Sequence, residues 1–222
     1  HLTKLNYDPA KDFQAVTLVA RSSNILITHP SVEAKTLKDL IAYAKANPGK
    51  LTYASQGSGS SGHIVGEQFK DVAGVDITHV PYRGAAPAMQ DLMSGQVSMS
   101  FEILTLAVPQ IKANTVRALA VASPTRVAAL PDVPTFAELG MPALEGGPWF
   151  GLFVPAGTPR PIVDWLHAEA KKTFSAADVQ ERFAAQNLVI PLNTPEEFTA
   201  FVAAESKRWG DAIAKANIRL SN

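Results

Sequence analysis

Short runs rich in β-branched and aromatic residues alternate along the chain with stretches whose apolar positions recur every three to four residues. The first kind predicts strands over 13–20, 24–28, 51–54, 77–82, 97–101, 116–122 and 149–154. The second predicts helices between them. Thr36 with Asp39 three residues on marks a capped start, Leu37, Leu40, Ile41 and Ala44 share a face, and Asn47-Pro48-Gly49 stops the helix. Helices over 63–72, 87–93 and 106–112 follow the later strands after short loops. That rhythm predicts an α/β fold with a mainly parallel sheet covered on both faces, whose ligands bind at the carboxyl ends of the strands.

The last third changes character, with helices predicted over 160–174, 178–186 and 195–216. Thr194 before Pro195-Glu196-Glu197 is a strong helix start: the hydroxyl caps free amides, proline fits the first helical position and the acids face the positive end of the dipole. The Pro-rich run over 129–134 and Gly146-Gly147-Pro148 read as connections between bodies, with a boundary near 146. No solenoid repeat and no low-complexity tract interrupts the pattern.

Composition narrows the function classes. At 222 residues the chain has room for one large or two small domains. Twenty Lys plus Arg balance twenty Asp plus Glu, which disfavours a nucleic-acid or anionic-lipid partner. With 46% hydrophobic and 18% charged residues it is too apolar for disorder, yet no apolar run reaches the about 18 residues of a membrane span. The lack of cysteine excludes disulfides, thiolate metal sites and a cysteine nucleophile, and leaves the compartment open. The chain opens His1-Leu2-Thr3 with no Met, basic region or apolar core of a leader, so any secretory leader is expected to have been removed or left out.

The sharpest local feature is Ser55-Gln56-Gly57-Ser58-Gly59-Ser60-Ser61-Gly62, which follows a predicted strand and opens a helix. Glycines there can bring backbone amides close to a ligand, four serine hydroxyls can supplement them, and the helix end favours negative charge by about 0.3–1 kcal/mol. Gly57, Gly59 and Gly62 formally satisfy a dinucleotide fingerprint, but the next strand ends Val80-Pro81-Tyr82-Arg83 without the acid that holds a ribose. The readings are a small-anion cradle, a plain flexible turn, or, least favoured, a nucleotide site. A second junction places Gly84, Ala85 and Ala86 before Pro87, again leaving amides accessible at a helix start, or forming only a tight turn. Arg83 is either a carboxylate clamp or a solvated rim charge. Glu102 ends a third strand, where an acid selects an ammonium or hydroxyl, or is simply solvated.

Catalytic readings are weaker. His63 and Glu67 share a helix face at i and i+4, but two candidate ligands do not make a metal site and a surface pair explains them as well. No Gly-x-Ser-x-Gly elbow occurs, so a hydrolase is a runner-up, beside a nucleotide-dependent oxidoreductase on the same α/β sheet. Trp149-Phe150 could close over a ligand or enter a core; Trp165 and Trp209 read as packing residues on amphipathic helices.

Five runs occur in the order and spacing of one family. They are 5–13 (Leu-Asn-Tyr-Asp-Pro-Ala-Lys-Asp-Phe), 53–63 with its Gly/Ser turn, 80–88 (Val-Pro-Tyr-Arg-Gly-Ala-Ala-Pro-Ala), Arg117–Val121 with 130–135, and 149–152 leading to 155–159. Together they resemble the solute receptors of tripartite tricarboxylate transporters, the Bug family, over essentially the whole chain. The resemblance implies a type II periplasmic binding protein, a non-catalytic monomer without cofactor. Its two lobes, each a mainly parallel sheet flanked by helices, would meet at a hinge cleft. Expected bounds are 1–23 and 147–222 for lobe 1 and 24–146 for lobe 2. It also implies a small carboxylate ligand, either a di- or tricarboxylate, an amino acid or an aromatic acid, delivered to membrane permease subunits.

Carried over by motif, Ser55, Gly57, Ser58, Ser60, Gly84, Ala85 and Ala86 line the second lobe's half of the cleft, with Glu102 at its edge; Gln56, Gly59, Arg83 and Trp149 complete the candidate set. The chain carries Glu102 where the family pattern has Asp, and Gln56 where a small residue is common. It is also expected to start downstream of the family's opening strand and Pro/Gly-rich turn.

Overall fold

The computed structural model describes residues 2–219, which separate into two compact units. One gathers the described residues up to Ser22 with Trp149–Lys215; the other comprises Ser23–Pro148 with the described residues from Ala216.

The first unit is built on two strands distant in sequence. β1 (Phe13–Arg21) pairs antiparallel with β7 (Trp149–Pro155), from Phe13 opposite Pro155 to Arg21 opposite Trp149. Three helices follow, α5 (Arg160–Phe174), α6 (Ala177–Ala185) and α7 (Pro195–Lys215). Ala15 and Leu18 of β1 bury themselves against Phe198 of α7, and Trp149, Phe153, Phe201 and Val202 close round them. The start of α7 has the expected chemistry: Thr194 Oγ1 accepts from the Glu197 amide at 3.2 Å, and Glu197 accepts from the Thr194 amide at 2.8 Å. Trp165 departs from its expected packing role, being 62% exposed, because its position on α5 turns away from the face that buries Val163 and Ala170.

The second unit holds a five-stranded sheet in the order β4-β3-β5-β2-β6. The strands are β2 (Asn24–Thr28), β3 (Thr52–Ser55), β4 (Thr78–Pro81), β5 (Met99–Ile103) and β6 (Arg117–Val121). Its helices are α1 (Leu37–Ala46), α2 (Ser61–Ala73), α3 (Ala85–Met93) and α4 (Leu104–Lys112). The capping box predicted for α1 is present, with Thr36 and Asp39 exchanging side-chain-to-amide bonds of 3.1 Å. Strand β5 begins two residues later than expected, since the amide of buried Val97 points at the Asp91 carbonyl and helps close α3 instead of joining the ladder.

The expectation of mainly parallel sheets is corrected in both units. The first unit's sheet is antiparallel, and the five-stranded sheet is mixed: β3 runs parallel to β4 and β5, whereas β2 runs antiparallel to β5 and β6. The three helical crossovers β3-α2-β4, β4-α3-β5 and β5-α4-β6 join strands pointing one way, as a βαβ rhythm requires. The reversed strand, β2, slots between β5 and β6, so the stretch of 29–36 followed by α1 leaves and re-enters the sheet at the same end, where Thr28 and Tyr53 both lie opposite Met99. That central place explains its composition. All five residues of β2 are buried, and Ile25 and Ile27 pack with Ala54, Leu92, Leu104 and Val108, each large aliphatic contributing about 1.5–3 kcal/mol.

Candidate functional site

Because β3, β4 and β5 run the same way, their carboxyl ends lie along one end of the second unit's sheet, and the chain turns into α2, α3 and α4 there. The two glycine-bearing turns are therefore neighbours. Pairing of β3 with β4 ends at Ser55 opposite Pro81 and is extended by the Tyr82 amide, which donates to the Ser55 carbonyl at 3.1 Å. Gly57 sits at φ +133, a strained conformation for any other residue, and a Cβ there would stand a tight 3.1 Å from the Tyr82 carbonyl oxygen, so the two turns meet closely at this glycine. Gly84, the N-cap of α3, has φ 121 and ψ 174, a conformation essentially reserved for glycine, and no side chain caps the helix. The amide end of α3 at Ala85 and Ala86 thus carries the partial positive charge of a helix start without a side-chain acceptor of its own.

The serines divide differently from the expectation that four hydroxyls serve the cradle. Ser60 caps α2 by accepting from the His63 amide at 3.3 Å, Ser61 donates to Asn24 Oδ1 at 3.3 Å, and buried Ser55 accepts from the Gly57 amide at 3.2 Å and meets His79 Nε2 at 2.7 Å. These three hydroxyls shape the turn from within. Ser58 stands exposed at its tip.

Gln56 ties the first turn to the third strand end. Its Nε2 donates to the Phe101 carbonyl at 3.0 Å and to Glu102 Oε1 at 2.9 Å, and the same Glu102 oxygen accepts from the Ile103 amide at 2.8 Å. Glu102 is not a solvated strand-end acid: it is fully buried, and Oε2 has no partner. Burial pushes its pKa up to about 7, against the opposing pull of the Ile103 amide and Gln56. Gln56 Oε1 is likewise buried without a partner, so two oxygens at this corner lack a donor.

Beneath the 56–60 turn lies a cluster that residue spacing did not reveal. The His63 and His79 rings stack with centroids 3.9 Å apart at 7°, and Tyr53 stacks on His79 at 4.8 Å. The Gly59 amide donates to His63 Nδ1 at 2.9 Å. Tyr53 donates to Glu67 Oε1 at 2.6 Å, and Glu67 also pairs with Lys70 at 2.9 Å. Burial, followed by the neighbouring His63, holds His79 down to about 4; burial also lowers His63; burial and then Glu67 raise Tyr53. The i, i+4 pair of His63 and Glu67 thus serves two different contacts, and among the described residues no group of three or more His, Cys, Asp or Glu is placed to hold a metal ion. A signal existed in hindsight. Tyr53 and Ser55 alternate onto one side of β3, and His79 lies opposite Tyr53 in the parallel register.

Of the remaining candidates, Arg83 is exposed at the second turn, followed by Gly84, Ala85 and Ala86. The neighbouring Tyr82 hydroxyl donates to Asp91 at 2.7 Å, and burial with that bond pushes it up to about 12. Trp149 lies in the first unit, edge-on to Phe198 and Phe201 at 5.8 and 5.4 Å. Ser55, Gln56, Gly57, Ser58, Gly59, Ser60, Arg83, Gly84, Ala85, Ala86 and Glu102 come together at one sheet end, whereas Trp149 belongs to a different hydrophobic cluster.

Known proteins share this fold. The family described as "Tripartite tricarboxylate transporter family receptor" matches residues 1–218. The chain is 37% identical to the "UPF0065 protein in tcbD-tcbE intergenic region" of Pseudomonas sp. (strain P51), over 96% of this chain and 63% of that protein. It is 32% identical to protein BugT of Bordetella pertussis, over 99% of this chain and 67% of that one. The chain thus spans about two thirds of the length of the curated relatives it matches. Among solved structures it is similar to R. palustris Rpa4515 with adipate (TM-score 0.89, 34% identity, 98% of this chain and 73% of that one). It is also similar to MatC from Rhodopseudomonas palustris with bound malate (TM-score 0.84, 33% identity, 95% and 73%). The chain belongs to the tripartite tricarboxylate transporter receptor family.

Proposed function

We propose that the protein is a periplasmic solute receptor that captures a small carboxylate, with a dicarboxylate as its leading ligand class, and hands it to the permease subunits of a tripartite tricarboxylate transporter. The observation that carries this is the junction of two βα turns, Gly57 against Tyr82, which sets the first turn beside the amide end of α3 that no side chain caps. A carboxylate docked there is stabilised by preorganised N–H donors and by the helix end, the latter by about 0.3–1 kcal/mol, rising to about 2 when partly buried. Two relatives of similar fold are described with adipate and with malate, both dicarboxylates. Glu102 and Gln56, each with a buried oxygen that lacks a partner, lie beside this junction, Gln56 Oε1 as an acceptor and Glu102 as an acceptor when ionised and a donor when it carries its proton. Arg83 offers a second positive charge at the rim, Ser58 a hydroxyl at the tip, and the protein acts as a monomer that closes on its ligand.

Thermal melting against adipate, malate, citrate, glutamate, a benzoate-type acid and NAD tests the reading, because a ligand that binds only the native state raises the midpoint. A rise with one or more of the acids and none with NAD supports it. No rise with any acid, together with a rise for NAD, overturns it.

A further inference from the structure

We propose that the stacked His63–His79 pair positions the 56–60 turn, and that the turn keeps its ligand-binding shape only while His63 is neutral with a free lone pair on Nδ1. The ligand readout of this inference rests on the carboxylate reading above.

The geometry is restrictive. A backbone N–H aimed at a ring nitrogen from 2.9 Å requires that nitrogen to be an acceptor, so the His63 proton belongs on Nε2. A second proton on Nδ1 would set two N–H groups face to face. The ring has little room to turn away, since His63 is buried and lies flat against His79, which is itself sandwiched by Tyr53 and held by Ser55. The element free to yield is the turn, where Gly59 sits at φ +83. His79 then passes the constraint to the other end of the turn, because the hydroxyl it meets also accepts the Gly57 amide.

The groups around the pair are few. From α2 come Glu67, which favours a protonated ring, and Lys70, which opposes it; from β3 comes Tyr53; from β4 comes His79, whose charge would oppose that of His63; β5 contributes the uncharged Phe101 ring against Tyr53. Glu67 is already engaged by Tyr53 and Lys70. Burial therefore prevails and holds His63 below the ordinary histidine range. A cation behind an anion site would ordinarily strengthen binding as pH falls. This arrangement reverses the sign, since protonation dismantles the turn that holds the anion.

The test pairs NMR with calorimetry on the wild-type protein and on His63→Asn, whose Oδ1 replaces the Nδ1 acceptor without titrating. Expected at neutral pH is an Nε2–H tautomer for His63. The Gly59 amide resonance should move with the midpoint of the His63 ring. Binding of adipate or malate as probe should fall about tenfold or more as the ring is protonated. His63→Asn should lose the part of the pH dependence that follows the His63 midpoint and keep the parts that belong to the acid itself and to Glu102. A proton on His63 Nδ1 at neutral pH, a Gly59 amide indifferent to His63, or acid binding that strengthens on protonation overturns the inference. A Gly59 amide that tracks His63 in a protein binding no acid at any pH supports the positioning role and overturns the carboxylate reading alone.

Discussion

Glu102 accepts a 2.9 Å hydrogen bond from Gln56 through one carboxyl oxygen while its other oxygen is buried with nothing to meet it. Such a group prefers its proton. With the folded-state value raised from 4.5 to about 7, the folded protein holds a proton between those values that the unfolded chain has lost. This group's contribution is therefore most favourable below about pH 4.5, and declines as pH rises through the window. Above about pH 7 it costs on the order of 3 kcal/mol. His79, lowered to about 4, acts with the opposite sign, its stabilisation being lost as pH falls below about 6.5. Comparison with Glu102→Gln isolates the acid: in denaturant unfolding at about pH 5 and 8, wild type should lose a few kcal/mol relative to the variant on going to the higher pH. An unchanged difference between the two would sink the assignment.

Tyr53 is buried between β3 and α2 with its hydroxyl on Glu67 at 2.6 Å. Tyr53→Phe keeps the ring stack on His79 but leaves Glu67 with Lys70 alone, so the loss should be about 1.5–3 kcal/mol, the range for a hydrogen bond to a charged group. Urea unfolding measures it, and the m-value should not change.

The two turn glycines separate strain from collision. Gly84→Ala meets no atom within 4 Å, so its cost is that of the backbone conformation, about 1–3 kcal/mol. Gly57→Ala adds the contact with the Tyr82 carbonyl and should cost more. Both should weaken acid binding in calorimetry by about tenfold or more, equivalent to about 1.4 kcal/mol. Equal stability losses in the two variants would show that the turns can part without penalty.

Gly151 of β7 faces the Phe198 ring, where an added methyl would overlap it and lie 3.1 Å from Phe153. Gly151→Ala should destabilise the first unit by about 1–3 kcal/mol through overpacking. Hydrogen exchange localises the effect: amides of β1 and β7 should lose protection while those of β2 and β5 keep theirs.

Much of the architecture was readable in the chain, for reasons that are local. The capping pairs Thr36–Asp39 and Thr194–Glu197, the strand-turn-helix passage through 52–61 and the apolar run of β2 each depend on residues within a few positions of one another. What escaped depends on neighbours across the sheet. Periodicity shows that a strand is buried but not which way it runs, so the reversal of β2 stayed hidden. The burial of Glu102 follows from Gln56, which reaches it from 46 residues away, and the His63–His79 stack follows from the β3–β4 register. The serines illustrate the same limit, since composition offers four hydroxyls at the turn but only packing decides that Ser55, Ser60 and Ser61 are spent on its interior. Trp165 errs in the other direction, an aromatic residue on an amphipathic helix that faces water.

The partner strands of the first unit stand at opposite ends of the second unit's main segment, so the two units cannot acquire their structure on the same schedule. Residues 23–148 make contacts largely among themselves, so the partners of that unit's sheet are all present once this segment has emerged into the compartment where the chain folds. β1 comes earlier in the chain, but its partner among the described residues is β7, so that ladder waits until Pro155 has emerged. For that interval Val16, Leu18 and Ala20 offer a chaperone a binding segment that the finished protein no longer shows.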